Sequence, residues 1–549
     1  MRTRSAHLRG LATLLLATAL AVGSTSATRA AAYLEADGTA EASWHVDGPV
    51  LATVVVGDTV IVGGPFTHAL NTNGRATARR SLAAFSLSTG RLLRSWHPTV
   101  RGTVRAMVTD GTSVWVGGDL RGPQGKGTRV LKVDVATGQV RPEFNATTNA
   151  TVFALALEGN DLYVGGSFTR VNKVWRSRVA RLGAARGAVN RAFTARASGT
   201  VYALVPSPVG TDLYLGGAFF KVNATDHHAV AAVDGATGAV RDTNFKLTAT
   251  TRGLDVSPDG RLLYGATGGE LNTAAAWSTR TGVRMFGVEA DGPVRSVRYH
   301  QGTLYAGVSK GVGGDTRVKL LAADAFNGTV DPAFQPRIPG FWGVQAIAAT
   351  DRGVVLGGDF WRVNGAKSRG LALFRADLPP REEYVGGLTV WRYLDQGVRP
   401  DGWETEAFDD STWGVGLPQL GYGDGDEETL VASGPTDSSY WWTTYYRASF
   451  EVGAVPSALE LQVAADDGAV VYVNGVEVVR DNMPAGTIDN DTHAPTWRGT
   501  SSEDRLRSFA VDPGLLHPGT NTVAVELHQA VGGLVDASFD ARLTGVKAL

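Results

Sequence analysis

Leu162-Tyr163-Val164-Gly165-Gly166-Ser167-Phe168-Thr169-Arg170-Val171-Asn172 decides the reading of this chain, because versions of it return about every fifty residues. One glycine anchors each copy: Gly63, Gly117, Gly165, Gly216, Gly265, Gly307 and Gly357. A period of this size marks a propeller, a solenoid or an array, and seven anchors predict seven units.

Each copy holds four short apolar runs separated by turn residues. In the third copy they are 152–157, 162–166, 179–182 and 189–193, with Gly159-Asn160 and Arg186-Gly187 between them. Runs of this kind read as strands joined in hairpins, and four per unit make a propeller blade. The expectation is a seven-bladed β-propeller over residues 40–377. The last copy has three runs before Leu378-Pro379-Pro380, while Ala42-Ser43-Trp44-His45-Val46 matches the fourth runs elsewhere. The N-terminal segment is therefore expected to complete the last blade, which removes exposed sheet edges. No helix follows the Gly-Gly pair, so it reads as close backbone packing or a bulge and not as a phosphate cradle.

Upstream, residues 1–32 read as a secretory signal: Arg2, Arg4 and Arg9, an apolar run from Leu11 to Val22, and Ala30-Ala31-Ala32 as a cleavage site. The chain has no cysteine, which excludes disulfides, thiolate metal sites and Cys nucleophiles. A formal net charge of −1 gives no reason to expect nucleic acid or anionic membrane as a partner. No later run is apolar enough for a membrane span. The expected location is extracellular, in secreted form.

Residues 378–387 read as a Pro-containing linker. Beyond it, 388–549 is rich in Trp and carries strand-like runs at 445–452, 459–464, 470–473, 476–480, 522–528 and 537–543. This second domain reads as a β-sandwich or jelly roll, so the fold class is all-β throughout.

Two resemblances attach to these motifs. Leu-Tyr-Val-Gly-Gly-x-Phe-x-x-Val-Asn followed by Ala-x-x-Asp-x-x-Thr-Gly resembles the propeller repeats of secreted bacterial proteins known as domains of unknown function; Phe168 to Asn172, Phe219 to Asn223 and Phe360 to Asn364 match fully. The second domain carries Trp391 to Gly397, Phe408 to Trp413, Leu420 to Gly425, Ala465-Asp466-Asp467-Gly468, Tyr472-Val473-Asn474-Gly475 and Asn521 to Gln529. These motifs resemble the galactose-binding-like jelly rolls of secreted bacterial enzymes and surface proteins. The first resemblance implies a fold and no reaction. The second implies attachment or carbohydrate recognition, with a structural calcium as a frequent companion.

Candidate ligand residues follow from blade geometry, which puts the loops between second and third strands on the same face as the connections into each first strand. Those loops carry Arg170, Lys221 and Arg362 at one equivalent position, with Trp175, His227, His228 and Trp361 nearby, and Trp342 in the last connection. Rings and cations there can stack on and hydrogen-bond to sugars, or the long cations can lie along the neighbouring blade with solvated heads. His227 and His228 with Asp226 form a candidate metal group, although adjacent side chains seldom converge. Asp119, Asp226 and Asp359 are the candidate acids and bases of an enzymatic alternative.

In the second domain Asp424, Asp466, Asp467, Asn474, Glu526 and His528 are the candidates, the last two on one strand face. Asp466-Asp467-Gly468 and Asn474-Gly475 also suit plain turns. Asp424, Asp426, Glu427 and Glu428 supply oxygens of the kind calcium takes, or a solvated acidic loop. The functional expectation is noncatalytic binding of an extracellular glycan or cell-envelope polymer. The alternatives are a polysaccharide lyase or hydrolase acting in the propeller funnel, and a protein-binding adhesion scaffold.

Overall fold

The computed structural model describes residues 44–121, 129–243, 245, 247–332, 334–375, 381–423, 427–436, 440–499, 506–532 and 536–547. The expected signal segment, Asp424 and Asp426 lie outside these. The protein is all-β: strands make up the regular structure, apart from one 3-10 turn at Pro513–Leu515. No helix among the described residues is long and apolar enough to cross a membrane.

Among the described residues, 52–375 form seven antiparallel sheets of three or four strands, one for each sequence copy, with smaller hairpin sheets projecting from some of them. Sheet three shows the plan, with Val152–Glu158 pairing Asp161–Gly166, which pairs Val179–Gly183. The first strand of each sheet packs beside the first strand of the next, and Gly343–Thr350 of sheet seven packs beside Ala52–Val56 of sheet one. The repeated glycine makes this approach possible. A Cβ on Gly63 would lie 2.3 Å from Val104, one on Gly117 2.7 Å from Val152, one on Gly165 2.8 Å from Val201, and one on Gly357 2.5 Å from Val50. Each such glycine is thus a slot for the β-branched residue that opens the next sheet, so the close-packing reading of the pair holds.

The fourth run departs from expectation in most copies. Among the described residues only sheet five has a full fourth strand, Arg284–Glu289. In sheets one, two, three, four and six the fourth run makes a single bridge, such as Leu182 with Val189, and then leaves the sheet. Its terminal aromatic turns into the core instead: Trp96, Phe144, Phe193, Phe245 and Phe334 are all buried. Trp96 Nε1 donates to Val135 O at 2.9 Å, and Phe193 meets Tyr163 edge-on at 5.8 Å. Pro142 and Pro332 remove ladder donors from two of these runs. Burying a large ring outweighs two or three rungs of pairing.

The N-terminal segment does reach the last sheet. Val46 N donates to Arg369 O at 3.1 Å, as Ala197 N donates to Ser177 O and Ile338 N to Arg317 O in other copies. Val46 is buried with Val355, Leu371 and Leu373 of sheet seven. As a strand, however, His45–Val46 pairs with His68–Leu70 of the first copy.

The second unit has two six-stranded sheets enclosing one apolar core. The six expected runs all fall in strands, within Thr443–Val452, Ala458–Ala465, Gly468–Val473, Val476–Asp481, Gly519–His528 and Ala537–Val546. One boundary needs correction. Arg381–Val385, inside the expected linker, is a strand of this unit and pairs with Ala537–Val546. Its charges concealed it, and each finds a partner here: Arg381 with Glu460, Glu382 with Lys547, Glu383 with Arg542.

The two units meet at the turns of sheets five and six. Arg542 bonds Asp259 at 2.5 Å and lies 4.1 Å over the ring of Phe326; Arg261 bonds Asp540 at 2.7 Å; Asn327 donates to Leu506 O at 3.2 Å. These turns lie at the far end of the strands from the connections that enter each sheet, so that entry face stays uncovered by the second unit.

Candidate ligand-binding site

On the uncovered face, six of the seven first strands carry a β-bulge at the same place. The pairing register shifts between Val104 and Ala106, Val152 and Ala154, Val201 and Ala203, Thr251 and Gly253, Val294 and Ser296, and Val344 and Ala346. A bulged residue leaves the ladder and its side chain is re-aimed. Arg105, Phe153, Tyr202, Arg252, Arg295 and Gln345 are those residues, and with Leu51 of sheet one they line a cavity of about 140 Å³. Every sheet contributes one side chain to a single ring.

Contacts run round this ring. The Arg105 guanidinium lies 5.2 Å from the centre of Phe153, Phe153 meets Tyr202 edge-on at 5.1 Å, and Arg252 lies 5.0 Å from the centre of Tyr202. Arg295 lies 4.7 Å over Trp342, which adds an aromatic from the connection into sheet seven. Asp119 anchors one side, accepting from Arg105 at 3.2 Å, Arg129 at 2.6 Å and Thr151 at 2.5 Å. Burial alone would push its carboxyl up, but these donors hold it below the ordinary carboxylate value. On the other side burial, and then the neighbouring charge of Arg252, lowers the Arg295 pKa.

Of the residues singled out in the sequence, Trp342 and Asp119 reach this ring, the first over Arg295 and the second as the acceptor of Arg105. Arg170, Lys221 and Arg362 do occupy one equivalent position, the first residue of a two-residue hairpin arm projecting from sheets three, four and seven. Each is engaged on its own hairpin. Arg170 lies 5.9 Å over Trp175, Lys221 pairs with Asp226 at 3.1 Å, and Arg362 donates to Gly365 O. Trp175 and Trp361 are each 52 % exposed. His227 and His228 point apart: His227 is buried and its pKa lowered by that burial, while exposed His228 meets Phe220 edge-on. The metal reading of this pair is therefore corrected, and among the described residues no group of three His, Asp or Glu could hold a metal ion. The repeated Asn is structural. Asn172 and Asn223 take positive φ and bond backbone on both sides, for example Thr147 N at 2.7 Å and Gly187 O at 2.9 Å for Asn172.

In the second unit the candidates prove to be internal. Asp466, Asp467, Glu526 and His528 are fully buried, which corrects their reading as residues a glycan can touch. Glu526 and His528 do share a strand face, under a lid in which Arg399 pairs with Glu526 at 3.4 Å and Tyr472 donates to it at 2.7 Å. Asn474 sits at a positive-φ turn, with Nδ2 donating to Leu515 O and Oδ1 accepting from Thr522 N. Glu427 is buried and Glu428 exposed, so adjacent carboxylates of the proposed calcium loop face different ways. Asp467 accepts from Arg498 N at 2.6 Å and Ala530 N at 2.7 Å, tying two loops together. Asp467→Ala is expected to lower stability by about 2 kcal/mol, because two buried amides lose their acceptor. Thermal unfolding of the variant measures this, and an unchanged midpoint would contradict the anchoring role.

A larger cavity, about 310 Å³, lies between the units beside Arg542, Asp540, Asp259 and Arg261. Its charges already pair with one another, so it is a seam between domains. Comparison with known proteins returns no matching family profile and no matching curated protein.

Proposed function

We propose that the seven sheets are the blades of a closed β-propeller, that the second unit is a galactose-binding-like jelly roll, and that the secreted protein is a noncatalytic binder of an extracellular glycan or cell-envelope polymer. One observation carries this reading: a ring in which every sheet supplies one side chain, the adjacent faces of Phe153 and Tyr202 flanked by the guanidiniums of Arg105 and Arg252 around an open cavity. Rings of this kind hold sugars by stacking and by hydrogen bonds to hydroxyls. The jelly roll, docked on the opposite face, leaves the mouth free for a long polymer to approach.

The test is a pull-down of full-length mature protein with insoluble polysaccharides and cell walls, with and without calcium. Retention on one glycan, with no soluble sugar released, is the expected result. Phe153→Ala with Tyr202→Ala should abolish it. Released sugar would instead mark an enzyme, and no retention on any material would overturn the glycan reading.

A further inference from the structure

The cations of the ring are not equally occupied. Arg105 is neutralised by Asp119, which it shares with Arg129. Arg252 and Arg295 have no carboxylate partner among the described residues, and the Arg295 Nε is buried without a hydrogen bond. Two guanidiniums thus lie close to each other at one cavity, held by cation–π contacts to Tyr202 and Trp342 and by no anion. Like charges placed together in a half-buried site cost free energy unless an anion completes them. Gln345, next in the ring after Arg295, adds a donor amide, and Phe153 offers a ring face on the far side. Planar guanidinium forks suit the two oxygens of a carboxylate or phosphate.

We propose that Arg252 and Arg295 form a receptor for one anionic group of an acidic polymer, a carboxylate or phosphate, with the adjoining sugar ring against Phe153 and Tyr202. This rests on the glycan-binding reading and narrows it to acidic chains. The near-neutral net charge of the protein hides this local positive mouth.

Titration calorimetry of the full-length mature protein at low salt tests it with three probes: a short oligogalacturonate, its neutral methyl ester, and inorganic phosphate. The acid is expected to bind at least about tenfold more tightly than the ester, and the preference should shrink as salt rises. Arg252→Gln removes an exposed side chain and should fold normally; it, and the double variant with Arg295→Gln, should erase the preference. Equal binding of acid and ester, or an unchanged preference in Arg252→Gln, overturns the anion site and leaves glycan binding standing. Phosphate binding that Arg252→Gln abolishes, with neither oligosaccharide bound, supports the anion site and overturns its assignment to a galacturonate chain. If no probe binds, the anion site falls, and the polysaccharide pull-down decides the glycan reading separately.

Discussion

Arg542→Met is expected to destabilise the protein by about 3–5 kcal/mol, the cost of leaving a buried carboxylate without its counter-charge. Arg542 is 4 % exposed and Asp259 5 % exposed at their contact, and Glu383 and Asp540 crowd the same guanidinium. Deleting it strands Asp259, while Asp540 keeps Arg261 and Glu383 stands half exposed. Guanidinium-chloride unfolding followed by tryptophan fluorescence reads the loss, and Asp259→Asn in the same chain should recover part of it. The pH dependence has a definite sign. Burial alone would raise the Asp259 carboxyl, but the charge of Arg542 and a hydrogen bond from Ser257 bring it down to about 2 from an ordinary 3.8. Its contribution is therefore complete above the ordinary value and fades as pH falls from about 4 towards 2. Burial shifts Glu383 upward, so its charged form works against the seam at neutral pH. Removing Arg542 should flatten the acid limb that Asp259 produces; an acid limb parallel to that of the parent protein would contradict this account.

The seven copies were legible because the glycine slot is both a packing need and a sequence mark. The fourth runs were misread as strands because Leu93 to His97 and Val189 to Phe193 carry strand-like composition, while the burial of Trp96 and Phe193 draws them out of the ladder. The ring at the mouth was missed for a different reason. Its signal is Val104-Arg105-Ala106, Val152-Phe153-Ala154, Val201-Tyr202-Ala203, Thr251-Arg252-Gly253, Val294-Arg295-Ser296 and Val344-Gln345-Ala346: a β-branched residue, a variable one, a small one. That triplet is periodic, but in a plain strand the middle residue would face the same side as every second neighbour. Only the bulge turns it into the mouth, and the bulge is set by pairing with a distant strand. Conversely, Arg170, Lys221 and Arg362 stood out by repetition, yet repetition reflected their place on equivalent hairpins. Glu526 and His528 were correctly placed on one face, but the loops that bury them come from far along the chain, through Arg399 on Glu526 and Thr492 on His528.

Gly357→Val should produce the other large effect, about 3 kcal/mol, because the slot it fills is the one at which sheet seven packs on sheet one. A single added carbon would already lie 2.5 Å from Val50 Cγ1 and 3.1 Å from Thr53; valine adds two more in a packed interior. Gly183→Ala is the control, since nothing lies within 4 Å of its Cβ position and its φ is ordinary; it should stay within about 0.5 kcal/mol of the parent. The decisive measurement is the double-mutant cycle of Gly357→Ala with Val50→Ala. If sheets one and seven share this contact, trimming Val50 relieves the clash and the two changes couple by about 1 kcal/mol. Additive effects would mean that the first and last sheets do not meet there, and the cycle would be open. The consequence reaches the mouth. Val50 precedes Leu51, and Gly357 pairs with Ala346 beside the bulge at Gln345, so a seam forced apart here separates two members of the ring and moves Arg295 and Trp342 with the neighbouring sheet. Gly357→Val should therefore weaken ligand binding together with stability, whereas Asp467→Ala, whose contacts lie wholly within the second unit, should change stability alone.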